Sequence, residues 1–175
     1  MSQNNYDLGL GELEDAINYC FSSEKWIPGL ILLYSSIDLM ASLNRAPAKP
    51  KVEKSDFVEW VNIYLLPGSE LNCSAIDLYA ARCGLVHSYS PDSVLSRDLK
   101  AKKLYYAHGN KKATELQTRI NDSPQKDIIA VHIDQLFKAL KVAVGRFASA
   151  LKSNPSKEKL AAQRASEFFI NISAL

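Results

Sequence analysis

The 175-residue sequence predicts an all-α fold, an antiparallel bundle of five or six helices with a small basic insertion at about 92–122. Three observations lead to this reading. Apolar residues recur at i, i+3 and i+4 through most of the chain, the period of helices that bury one face. The seven prolines fall at the edges of these stretches, where they start or stop helices. Alternation with period two is confined to one short region. No internal repeat, low-complexity tract or composition break divides the chain, so a single domain, 1–175, is expected, long enough to bury a real core.

Leu10, Leu13, Ile17, Cys20 and Phe21 form one stripe, with Glu12, Glu14, Asp15 and Asn18 opposite, which predicts a first helix from about Gly9 to Ser23. Pro28 suits the first turn of a second helix reaching Leu43. That helix is apolar nearly all round and belongs at the bundle centre. Asp38 interrupts it, and a carboxylate there needs a cation or several donors. Either it faces the helix that carries Arg82 and His87, or it accepts from nearby Ser and Tyr hydroxyls.

The Pro- and Lys-rich segment Ala46 to Lys54 reads as a solvated connection. Ser55 is the expected cap of a third helix, with Asp56 and Glu59 near its positive end and Phe57, Trp60, Val61 and Tyr64 on its buried face. Pro67 and Gly68 end it. From Ser74 to Pro91, Leu78, Ala81 and Leu85 mark a fourth helix, stopped by Ser88, Ser90 and Pro91. Ser93 is placed to cap a short turn through Leu99. KLYYA and TELQTRI then flank HGNKK, and Leu116, Thr118 and Ile120 alternate with polar residues, the pattern of a small hairpin. Ser123 and Pro124 open a long helix with Ile129, Ile133, Leu136, Leu140, Val144, Phe147 and Leu151 on one face. Asn154 and Pro155 end it, and a last helix runs from Lys157 to about Ile170.

The net charge of +2 conceals an uneven distribution. Residues 1–40 hold six acids and one base, whereas residues 97–119 hold seven bases and two acids. Such asymmetry suits an anionic ligand or association between copies. The three cysteines, Cys20, Cys73 and Cys83, lack metal-ligand spacing and lie in apolar helical patterns, so buried thiols in a reducing cytoplasm are expected. No cluster of His, Cys or acidic residues suggests a metal or cofactor. The start of the chain has no signal-peptide pattern, and the contiguous apolar run Ile27 to Leu33 is far shorter than the ~20 residues of a membrane span. A soluble, cytoplasmic protein is expected.

The candidate chemistry sits at the end of the fourth helix. Arginine offers a fixed fork of donors for a phosphate, and histidine exchanges a proton near neutral pH. Five residues of straight helix turn about 500°, so Arg82 and His87 should point about 140° apart. They are expected to meet only if the helix loosens at Gly84 or two chains share the site. Arg82 could instead cap carbonyls or pair with an acid, and His87 could be an ordinary surface residue. Arg97, Lys100, Lys102 and Lys103 follow closely and are candidates for sequence-independent phosphate contacts, or else form a solvated face.

Arg82-Cys-Gly-Leu-Val-His87-Ser-Tyr89 resembles the signature of the HEPN superfamily, and its Arg-x4-His-x-Tyr spacing resembles that of one toxin branch. The resemblance covers this motif and the helical order. It implies a helical bundle that acts as a homodimer, with Arg82 and His87 of both chains lining a cleft that binds RNA or a nucleotide. It also implies metal-independent cleavage by the 2′-hydroxyl, and an antitoxin or nucleotidyltransferase partner that modifies Tyr89. Cys83 departs from the pattern, because active members usually carry a polar residue there, often Asn or Asp; binding is therefore expected ahead of cleavage. The alternative is a non-catalytic scaffold or regulatory protein in which Arg82 and His87 are structural.

Overall fold

The most apolar helix of the chain becomes the axis around which the others assemble. The structure, a computed structural model, describes residues 5–125 and 127–168. Helix α1 spans Asn5–Ser22, α2 Trp26–Asn44 and α3 Lys54–Trp60, which runs on into a π-helical turn, Val61–Leu65. Helices α4 (Ala75–Ser88) and α5 (Val94–Arg97) follow, then strand β1 (Lys103–Ala107), α6 (Ala113–Asn121) and β2 (Ile128–His132). Helices α7 (Ile133–Lys152) and α8 (Pro155–Phe168) complete the described chain.

Helix α2 touches α1, α3, α4, α7 and α8. Leu33, Tyr34, Ile37, Met40 and Ala41 on it are fully buried, which accounts for its lack of a polar face. Its length and composition are those of a membrane-crossing helix, although 56% of that stretch is buried inside the bundle. Counting only contiguous apolar residues hid this, because Ser35, Ser36 and Asp38 interrupt the run. Arg164 of α8 closes its C-terminal end, donating to the Leu43, Arg45 and Ala46 carbonyls at 3.0, 2.6 and 3.1 Å. Arg146 of α7 does the same after α3, donating to Tyr64 O and Pro67 O.

The cap of α3 is Glu53 rather than Ser55. The Glu53 N–H donates to Asp56 Oδ2 at 2.8 Å, and Lys49 Nζ donates to Asp56 Oδ1 at 2.8 Å. Starting two residues earlier lets a buried carboxylate meet both partners.

The chain is predominantly helical, but the expected all-α bundle with a hairpin is corrected in three respects. The described residues form eight α-helices rather than five or six. TELQTRI lies in a helix, α6, and the two strands pair in parallel, Lys103 opposite Ile128 through Ala107 opposite His132. The second strand, IIAVH, occupies what reads in the sequence as the first turns of the long helix, which begins at Ile133 instead of Pro124. A short, continuous apolar run does not distinguish a buried parallel strand from a buried helix. Its β-branched residues then decide for the strand.

Leu104 and Val131 pack this β1-α6-β2 unit into the main core, and two hydrogen bonds fix its position. The Tyr34 and Tyr106 hydroxyls lie 2.6 Å apart, binding β1 to α2, and burial raises both phenols well above the ordinary range. Asp77 of α4 accepts the Lys102 N–H at 2.6 Å, which fixes where β1 starts.

Candidate functional site

Helix α4 is held firmly at its beginning. Ser74 is the N-cap, and its N–H and hydroxyl both donate to Asp77 Oδ2, at 2.8 and 2.6 Å. The far end closes at Tyr89, which takes the left-handed conformation with φ of 51°. The Tyr89 N–H then donates to Leu85 O and the Ser90 N–H to Gly84 O, which satisfies these two carbonyls of the last turns. The chain turns back so tightly that a Cβ on Gly84 would stand 2.4 Å from Ser90 O and 2.8 Å from Asp92 O. Glycine is therefore required there by the close backbone crossing.

Arg82 and Asp38 meet as one of the two sequence alternatives proposed. Arg82 Nε donates to Asp38 Oδ2 at 2.7 Å, joining α4 to α2. Arg82 Nη1 lies 3.3 Å from His87 Nε2, and since guanidinium only donates, His87 accepts through that nitrogen. Burial raises the Asp38 pKa above the usual carboxylate value, against the opposing pull of Arg82 and His87. Burial lowers that of Arg82, but Asp38 outweighs it and the guanidinium is held more firmly protonated than usual.

The pair converges within one chain and without loosening of the helix, contrary to the expectation from helical angles. Helix α4 is continuous from Ala75 to Ser88, and the long arginine side chain reaches round it once Asp38 fixes its Nε. The Arg82 side chain is 23% exposed, and His87 is exposed. A bound anion can therefore reach the free part of the fork.

The other candidates divide. Cys83 is half-buried, with its thiol beside Tyr79 and Arg82. Tyr79 itself was not singled out in the sequence, although its spacing of four from Cys83 places both on one helical face; burial, then Cys83, raises its phenol. Tyr89 is 71% exposed. Of the four basic candidates, Lys100 pairs with Asp98 at 3.2 Å and Lys103 with Asp92 at 2.5 Å. Arg97 and Lys102 are exposed and make no ion pair among the described residues. The nearby acids that neutralise the first two are visible in the sequence. Among the described residues, no group of three or more His, Cys, Asp or Glu side chains is placed to hold a metal. No family model, curated protein or solved structure matches the chain.

Proposed function

We propose that this chain binds single-stranded RNA through the Arg82–His87 pair and acts on the phosphodiester without a metal, as a HEPN-like dimer. The observation that carries this reading is the Arg82 guanidinium, anchored by Asp38 at 2.7 Å and 3.3 Å from His87 Nε2 at an exposed helix end. An incoming phosphate competes for Arg82 Nη1 and Nη2 while Asp38 keeps Nε. That exchange frees His87 Nε2 to take the proton from a ribose 2′-hydroxyl, whose oxygen attacks the adjacent phosphorus. The 5′-oxygen leaves, taking a proton from solvent water, and the other product ends in a 2′,3′-cyclic phosphate; His87 returns its proton to solvent. Arg82 stabilises the charge that gathers on the phosphoryl oxygens.

Exposed apolar side chains support the dimer. Val94 and Leu99, both within the segment after α4, are 63% and 76% exposed, and a second copy would cover them. Tyr89 is also open to a modifying partner, and an adenylyl group there would bring bulk and negative charge beside Arg82. Phosphate contacts beyond the pair fall to Arg97 and Lys102, since Lys100 and Lys103 are already engaged.

A second reading draws on the same contacts. Arg82 is paired internally with both Asp38 and His87, as a structural staple between α2 and α4 would be. Cleavage of a single-stranded RNA in excess EDTA separates the two. The enzymatic reading predicts cyclic-phosphate ends that vanish in His87→Ala; the staple predicts intact RNA at every protein concentration.

A further inference from the structure

The basic loop HGNKK does not serve the Arg82 site. It joins β1 to α6 and forms one wall of a cavity of about 500 Å³, within the range of about 300–1,000 Å³ usual for small-molecule sites. The cavity lies where both parallel strands end, at Ala107 and His132, and shares no residue with the Arg82 site. A crevice outside the carboxyl ends of parallel strands is where open α/β folds take their ligands.

Its walls carry charge and donors in a fixed frame. Lys111 and Lys112 line it, and neither makes an ion pair among the described residues. No side chain caps α6, and Leu116 N–H is the first of the helix to reach a carbonyl, Lys112 O at 3.2 Å. The Ala113, Thr114 and Glu115 amides before it have no intrahelical partner. His132 holds the loop in place from the other strand: its Nδ1 accepts the Asp134 N–H at 3.2 Å, so Nε2 carries the proton and donates to Gly109 O at 3.2 Å. Gln117 fixes the helix to β2, accepting the Ala130 N–H at 2.8 Å. The opposite wall supplies hydrogen-bonding side chains, with Glu70 bound to Gln135 at 3.1 Å and Asn72 beside them.

We infer that this cavity is a binding site for a small phosphorylated, hydroxyl-bearing ligand, with its phosphate between Lys111, Lys112 and the first turn of α6. Two cations and the open amides of the first turn of α6, where Ala113 and Thr114 line the cavity, suit a dianionic phosphate monoester, whereas Glu70, Asn72 and Gln135 suit hydroxyl groups. The loop supplies both the lysines and the left-handed turn, at Gly109 with φ of 60°, that brings them to the helix start.

Amide-resolved NMR on the full chain tests this with ribose 5-phosphate, inorganic phosphate and ribose as probes. Ribose 5-phosphate should shift the Thr114 and Glu115 amides saturably, inorganic phosphate should do so more weakly, and ribose not at all. Lys111→Ala with Lys112→Ala should weaken ribose 5-phosphate binding about tenfold or more. Ala113→Pro removes one amide donor at a position where proline fits, because Lys112 before it is extended with ψ of 138°. That variant should retain α6 yet bind about fivefold more weakly. Absence of a saturable shift at millimolar ribose 5-phosphate would overturn the site. So would binding unchanged in both variants, or ribose binding as well as its phosphate. Arg82→Ala should leave this binding intact, which keeps the outcome separate from that of the RNA reading.

Discussion

Two carboxylates in this protein are shifted in opposite directions, and the signs distinguish an acid that stabilises the fold from one held in place at a cost. Asp56 is buried, which by itself raises its pKa, but Lys49 and the Glu53 N–H outweigh burial and lower it. Its contribution to stability is present above the ordinary carboxylate pKa and is lost as pH falls through the folded value. Asp56→Asn should therefore cost about 0.5–2 kcal/mol near neutral pH, with the gap to wild type closing in acid. Chemical denaturation across pH checks this, and a gap that widened in acid would refute it.

Asp38 behaves in the opposite sense. Its pKa is raised, first by burial, so its favourable contribution is complete below the ordinary carboxylate value and is lost as pH rises through the folded value. An asparagine there keeps an oxygen for Arg82 Nε and does not titrate. Asp38→Asn should thus match wild type in acid and gain on it as pH rises, while RNA affinity drops about tenfold because the fork is no longer anchored by a charge. Stability and binding moving in opposite directions is the pattern of a functional acid. Loss of stability in the variant as pH rises would remove that reading.

At the scale of elements, the crossing at the end of α4 is the least tolerant feature of the candidate site. Gly84 to Ala replaces a poor helix former with the best one, a gain of about 0.8–1 kcal/mol in an open helix. Here the new Cβ meets backbone oxygens of Ser90 and Asp92 at 2.4 and 2.8 Å, and backbone cannot rotate aside as a side chain does. Gly84→Ala should be destabilising by about 2 kcal/mol and should displace the Tyr89 turn. A urea midpoint at or above wild type would show that the crossing is looser than described.

Helix boundaries and caps were legible where side chains act locally. Ser74 and Ser93 mark real helix starts, and Pro28 sits in the first turn of α2 as its fixed φ requires, whereas Pro155, read as ending the long helix, instead opens α8 two residues before the expected Lys157. The sequence misleads where tertiary partners decide. Residues 113–121 alternate only over Leu116, Thr118 and Ile120, and become a helix because Ile120 and Leu116 pack on Ile128 and Ala130 of β2. The Arg82–Asp38 contact was legible as one of two options, because an acid in an apolar helix has few possible partners. The Arg82–His87 contact was not, since angular reasoning treats side chains as short spokes and arginine is long.

For the whole molecule, the sequence's charge asymmetry becomes two separate basic regions. One follows α4, where acids neutralise Lys100 and Lys103 and leave Arg97 and Lys102 for an anion. The other is the β1-α6 loop, where Lys111 and Lys112 face a cavity. Grouping all seven bases into one nucleic-acid surface would overstate the reach of the Arg82 site. Each free cation lost from the first region should lower the salt slope of RNA binding by about one unit.

The central claim is that Arg82 and His87 form a phosphodiester site rather than a staple. Its most direct measurement is the affinity of a fluorescent single-stranded RNA for wild type, Arg82→Ala and His87→Ala, titrated at low salt in EDTA. The account predicts salt-dependent binding by wild type, a loss of about tenfold or more in Arg82→Ala, and near-wild-type affinity in His87→Ala. Equal affinity of wild type and folded Arg82→Ala, or no binding by any of the three, would contradict it.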